Sequence, residues 1–371
     1  MSKIIIVGCG IVGATLAYEL SLIPQLKITV LEKDQPASGS TGSALGVMMA
    51  VVSGKTKGRT WRLRETSLQR YQSLIPELEA KTGITIPVNY DGIVKLLFAE
   101  DKLDKWQKLA QTRSQQGWNL EILTPGQLQQ RCPQVAANKV IGAVYSPSDR
   151  QINPQILTKV LVAAAQANGV EFQFQTDCKI PFLTSESDLD ASSENKRCNL
   201  VETSTAKLDC DRLIIAAGLG SAHLTRSLAA AVDIRPVLGQ ALKLQFNQDL
   251  GLESFQPTIT GNDILFVPLG DRQYWLGATV EFPDEDGKVV AQPNTLTEFK
   301  QKAEFFCPAI ADAKILASWQ GKRPRPFGQA APVIGKLEGF ENVWLATAHY
   351  RNGVLLAPGT AQEIKRSWGF V

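Results

Sequence analysis

The stretch KIIIVGCGIVGATLAYELS (3–21) decides the fold. An apolar, β-branched run meets glycines at 8, 10 and 13, then passes into a segment in which Val12, Leu16 and Leu20 share one helical face. KITVLEK (27–33) reads as a second strand, which completes a β-α-β unit, the start of a doubly wound parallel sheet. Gly8 permits the tight turn, Gly10 lets a pyrophosphate approach the backbone, and Gly13 lets the helix pack close to the strand. Glu32, at the end of the second strand, is placed to hydrogen-bond a ribose diol, and its charge repels a 2′-phosphate. The dinucleotide site so defined takes in the backbone of Ile11 and Val12 and the neighbouring Lys33. The rival reading is a glycine-rich turn with a structural role only.

NAD and FAD share this fingerprint, and two further stretches favour FAD. ASGSTGSALGVMM (37–49) is small and hydroxylated, so Ser40, Thr41, Ser43, Ala44, Leu45 and Gly46 can come close to a long cofactor. LIIAAG (213–218) is a second glycine-ended strand, whose Ala217 and Gly218 are placed where many flavoproteins cover the dinucleotide. An ordinary polar loop and core strand would give the same pattern.

Around this unit, helical patterns run over 59–80, 101–116 and 152–168, with strands at 170–175 and 208–218. From 233 to 282 short polar turns separate alternating β segments, the texture of an antiparallel sheet. TSESDLDASSENKR (184–197) reads as a solvated loop, NVWLAT (342–347) as a strand, and a final helix is expected to start near Pro358. The 371 residues carry a net charge of only +3 and no long basic run, which argues against nucleic acid or an anionic membrane as main partner. No apolar stretch approaches the ~20 residues of a membrane span. The first core segment begins almost at the initiator methionine, so a cytosolic (cytoplasmic) location is expected. Six cysteines without CxxC spacing and only two histidines point to reduced thiols and no metal.

One residue stands apart. In ATAHYRNGVLLAPGTA (346–361) the permanently charged Arg351 lies in apolar surroundings with no acid in the segment, so it requires an anionic partner from elsewhere.

With GCGIVG and Glu32, the segments RQINPQIL (150–157), LIIAAGLGS, RPVLGQ (235–240), VPLGDRQYWLGATVE (267–281), GKRP (321–324), PVIG (332–335) and AHYRNGVLLAP (348–358) make the chain resemble the glycine oxidase and D-amino-acid oxidase group nearly end to end. The resemblance implies a Rossmann-like, α/β FAD-binding domain from 1–85, 140–232 and 321–371, with an inserted α+β substrate domain, built on an antiparallel sheet, from 86–139 and 233–320. It implies that Arg351 binds a substrate carboxylate with Arg323 close by, and that FAD is held without a covalent link. Backbone at Cys178, Asn352, Gly353, Val354 and Leu355 joins the cofactor site on the same ground, and the N-terminus of the last helix faces the flavin. Tyr350, Asp263, Leu265 and Val280 then line the substrate pocket, where glycine oxidases carry histidine, tyrosine and methionine at the last three positions. The reaction implied is oxidation of the C–N bond of a small amino acid or amine, by hydride transfer to flavin N5 with oxygen as acceptor. A dehydrogenase passing electrons to a quinone or another carrier, and a flavin-binding assembly protein, are the alternatives; a homo-oligomer is compatible with either.

Overall fold

The computed structural model describes residues 1–181, 196–284, 287–292 and 294–370. Strand Ser2–Val7 lies inside a six-stranded sheet ordered Val333–Lys336, Val343–Thr347, Arg212–Ile215, Ser2–Val7, Leu26–Leu31 and Glu171–Gln173. Only Val333–Lys336 runs antiparallel to its neighbour. The inner strands are covered on both faces, which is why they read as unbroken apolar runs. Helix Ile11–Ser21 buries ten of its eleven residues, not one face, because it lies between helices Pro154–Ala167 and Gly353–Ser367.

The region 233–282 forms the antiparallel sheet read from its alternation, extended to eight strands by chain from elsewhere: Lys314–Pro326, Ile234–Gln245, Gln273–Gly277, Ile264–Gly270, Thr258–Gly261, Ile93–Leu97, Gly142–Ser146 and Glu121–Leu123. Its single parallel pairing joins Thr258–Gly261 to Ile93–Leu97. This sheet has its own core, around Val94, Phe246, Phe266 and Tyr274. By sheet membership the chain leaves the eight-stranded sheet after Ser146 and again after Pro326. No helix among the described residues is long and apolar enough to cross a membrane.

Two sequence expectations are corrected. LDCDRLIIAAG is two strands in different sheets, Lys207–Asp209 and Arg212–Ile215, because Cys210 and Asp211 turn the chain between them. The last helix spans Gly353–Ser367 and carries Pro358 in its interior, not in its first turn. A proline there leaves the carbonyl four residues back without its donor. Helix Gly58–Thr82 supplies the replacement: the buried Tyr71 hydroxyl donates to the Val354 carbonyl at 2.5 Å, and Ser67 Oγ accepts the Gly359 N–H at 2.9 Å. The expected loop 184–197 lies almost wholly outside the described residues.

Candidate active site

The glycine turn is held from three sides. Gly8 has φ +105°, and a Cβ there would sit 2.7 Å from the Ala216 carbonyl oxygen, so the strand end leading to Ala217 and Gly218 crosses directly over it. A Cβ on Gly13 would lie 1.9 Å from the Gly8 carbonyl oxygen, which fixes the close helix–strand contact. A Cβ on Gly10 would meet only Thr41 Oγ1 among the described residues, at 3.1 Å, so that side of the turn is open. The Glu32 carboxylate accepts from the Cys9 N–H at 2.6 Å and from the Asp34 N–H at 3.0 Å, so it is aimed at the turn. Thr41 Oγ1 accepts the Ile11 N–H at 3.0 Å, whereas the N–H groups of Val12 and Gly13 meet no acceptor among the described residues. Free N–H groups at a helix N-terminus, an open glycine and an oriented carboxylate beyond them suit a dinucleotide.

The other predicted cofactor residues divide. Cys178 is buried beside Val7 and Leu31, and burial, with the charges of Asp177 and Glu32, pushes its thiol up to about 12. Lys33 is exposed. Ser40 and Ser43 spend their hydroxyls on strand Lys314–Pro326, donating to the carbonyls of Lys322 (2.6 Å) and Gln320 (3.2 Å), while the Trp319 indole donates to the Ser43 carbonyl at 3.1 Å. These bonds fasten the 37–49 loop to the second sheet. Ala44 packs on the main core, and Gly46 (φ +72°) seats against the Ile152 carbonyl.

Across from the loop, Gly239, Gly277 and Gly321 clear a floor on the second sheet. Side chains at these positions would strike the Arg323 guanidinium, Leu45 and Ser43, respectively. Half-buried Leu265 pairs with Gly277 across the sheet, and Val280 is also half-buried. Arg323 is anchored through Nη1, which donates to the carbonyls of Leu238 and Thr279 at 2.9 Å each. Its pKa is lowered by burial and, next, by the charge of Arg351.

Residues 348–353 bring that second guanidinium in. Ala348 and Tyr350 both take the left-handed region (φ +54°), a strained arrangement for residues with a Cβ. The Tyr350 N–H donates to the Pro324 carbonyl at 3.1 Å, joining the segment to the strand that carries Arg323. His349 is a core histidine: Nε2 meets Thr360 Oγ1 at 2.8 Å, and burial, with the charge of Arg59, pushes its pKa down to about 3. The Arg351 side chain is a third exposed, which corrects its buried appearance in sequence, and among the described residues its ion-pair partner is Asp263 Oδ1, 3.7 Å from Nη2. Asp263 sits with Asn262 on a two-residue hairpin turn, both with positive φ, and its side chain is 82 % exposed. Beyond Arg351, the Asn352 side chain does not cap the last helix, and the N–H groups of Gly353, Val354 and Leu355 have no acceptor among the described residues.

The sequence reading missed a buried charge cluster behind this helix end. The Asp149 carboxylate accepts the N–H groups of Ala50, Val51 and Val52 at 2.8, 2.9 and 2.8 Å. Arg113 lies 3.5 Å over the Trp61 ring and donates to the carbonyls of Val51, Ser53 and Lys55. Arg64 approaches Asn352 Oδ1 through Nη1 at 3.4 Å. A signal was present: Trp61, Arg64, Leu68, Tyr71, Ile75 and Leu78 mark one helical seam, in which Arg64 is the only charge.

The family of FAD dependent oxidoreductases matches residues 3–366. The chain belongs to this family. Among curated relatives it is 26% identical to the glycine oxidase of Geobacillus kaustophilus over 96% of the chain and 89% of that protein. It is 28% identical to the bifunctional protein ThiO/ThiG of Trichormus variabilis over 97% of the chain, which corresponds to 52% of that longer protein. Among solved structures, glycine oxidase from Bacillus cereus superposes with a TM-score of 0.82 at 24% identity, covering 100% of this chain and 95% of that one. L-proline dehydrogenase from P. horikoshii superposes at 0.83 with 19% identity, covering 99% and 94%. This FAD-dependent oxidoreductase thus shares its fold with enzymes named for different substrates.

Proposed function

We propose that this FAD-dependent oxidoreductase oxidises the C–N bond of a small amino acid or amine carrying a carboxylate. The observation that carries the reading is that the Tyr350 N–H bond to the Pro324 carbonyl brings Arg351 within electrostatic reach of Arg323, with no carboxylate hydrogen-bonded between them among the described residues. Two neighbouring guanidinium groups repel, and a substrate carboxylate accepting from the fork of Arg351 relieves that repulsion and fixes orientation. The rival partner, Asp263, lies beyond hydrogen-bond distance and is mostly in water, so it makes only a weak, screened ion pair that a substrate carboxylate can displace.

FAD, when bound, supplies the hydride acceptor. The chain's own residues orient the carboxylate, shape the floor with glycines and Leu265, and direct free N–H groups of the last helix toward developing negative charge. His349, neutral and hydrogen-bonded in the core, is no proton carrier here. The similarity to enzymes named glycine oxidase supports oxygen as acceptor, and that to one named L-proline dehydrogenase keeps a carrier in view. Leu265 and Val280 give the pocket apolar, branched walls, which favours an apolar or N-alkyl substituent over glycine. Six buried free thiols fit a reducing, cytosolic setting.

Anaerobic bleaching of the flavin by glycine, sarcosine, D-alanine and D-proline, followed by peroxide measurement in air, tests the proposal. Bleaching with peroxide release is expected. A flavin inert to the whole panel overturns it, and bleaching without peroxide moves the assignment to a dehydrogenase.

A further inference from the structure

Three side chains of the buried cluster are removed from water: Arg113 and Asp149 are 0% exposed and Arg64 7%. They comprise two guanidinium groups and one carboxylate. Asp149 is satisfied by three backbone N–H groups and contacts neither arginine as an ion pair, and Arg113 has its donors filled by carbonyls and Gln116. Glu65, the next acid, is half-buried and accepts from the Trp118 indole. Arg64 is left over. Its Nε is buried without a hydrogen-bond partner among the described residues, and its pKa is lowered chiefly by that burial, the charge of Asp149 opposing the shift. A buried guanidinium with an empty donor is costly and implies an anion that arrives later.

The side on which that charge acts is set by Asn352. Its amide oxygen meets Arg64 Nη1 at 3.4 Å and does not cap the last helix, so Arg64 stands at the helix end where the N–H groups of Gly353, Val354 and Leu355 have no acceptor among the described residues. From this we infer that Arg64 is a positioning residue for the flavin: through Asn352 and the uncapped helix it stabilises the reduced cofactor over the oxidised one. The electron balance gives the reason. A hydride leaving the substrate Cα carries two electrons and one proton, so its arrival adds one negative charge to the ring system, while the substrate departs as an iminium cation. A fixed positive charge that cannot relax into water favours that state. This rests on the reading that the ring system faces the N-terminus of the last helix.

Equilibrium titration of the FAD-loaded protein with a chemical reductant and a reference dye tests the inference without any substrate, so an error in the substrate assignment does not enter. Arg64→Met should lower the relative affinity for reduced over oxidised flavin about tenfold, which for a two-electron couple is about 30 mV in midpoint potential. It should weaken sulfite addition to the flavin by a similar factor, because that adduct also leaves negative charge on the ring. Arg64→Lys, which keeps the charge, should restore most of the potential. A folded, yellow Arg64→Met protein with unchanged potential overturns the inference. If Arg64→Met does not retain FAD, Arg64→Gln against Arg64→Lys decides: equal potentials in the two refute an electrostatic role, and a lower potential in Arg64→Gln supports it.

Discussion

Replacing Asp263 by alanine should tighten, not weaken, the binding of a simple carboxylate. Asp263 Oδ1 stands 3.7 Å from Arg351 Nη2, where Coulomb's law gives about 1 kcal/mol in a water-like medium and about 4 kcal/mol with intermediate screening. Because the Asp263 side chain is 82 % exposed, the lower figure applies, in keeping with roughly 0.2–1 kcal/mol for exposed ion pairs. An incoming carboxylate must compete with that interaction, so its loss should strengthen acetate binding by up to about fivefold. The gain should shrink as ionic strength rises and the Debye length falls. The assay is a titration of the flavin difference spectrum with acetate, at low and high salt, in the native protein and in Asp263→Ala. Acetate binding that is unchanged or weaker in the variant would refute the claim that Asp263 competes for Arg351. If acetate binds tighter but an amino acid binds more weakly, Asp263 also holds the substrate amine.

Arg351→Met should remove carboxylate binding while leaving the flavin spectrum nearly intact, and Arg351→Lys should recover little because an ammonium lacks the planar fork; normal turnover by the methionine variant would refute the anchor. Glu32→Ala should weaken FAD retention, since the carboxylate held at the Cys9 N–H would be lost, and fluorescence titration of the apoprotein reads the change directly. Tyr71→Phe should cost roughly 1–3 kcal/mol in urea denaturation, because it strands the Val354 carbonyl that Pro358 cannot serve; a loss below a few tenths would show that another donor takes over. His349 has its pKa pushed down to about 3 in the fold, so the unfolded chain binds its proton first as pH falls below 6.5. Stability is therefore lost from pH 6.5 downward, by up to about 1.4 kcal/mol per pH unit, and His349→Gln should flatten that slope. Parallel slopes in the two proteins would count against it.

The parts of this protein that were legible in its sequence are those governed by local rules. Gly8 and Gly13 could be read because no side chain fits beside Ala216 or the Gly8 carbonyl, and that constraint is written as glycine. The antiparallel texture of 233–282 was equally plain, since each turn is short and each strand alternates. Pro358 misled because its common place is a first turn, and nothing near it in sequence announces that Tyr71 and Ser67, nearly three hundred residues away, take over the displaced bonds. The serines of the 37–49 loop show a similar limit, since a hydroxyl advertises hydrogen bonding without naming its partner, and Ser40 and Ser43 donate to carbonyls of the second sheet.

Charged residues carry the same lesson further, and two arginines show it in opposite directions. Arg351 looked buried because its sequence neighbours are apolar, yet it stands a third exposed at a meeting of two sheets, near an aspartate on a distant hairpin. Arg64 is one of many charges on its helix, yet it is the buried one, placed on the seam that runs from Trp61 to Leu78. Sequence neighbours are a poor guide to burial in a helix, and the residues three and four positions away are a better one. Applied to Gly58–Thr82, that criterion separates Arg64 from the exposed Arg62 by helical spacing alone. A guanidinium kept on an apolar seam costs stability unless an anion meets it. In this enzyme the free helix N–H groups beside Arg64 are where that anion would form.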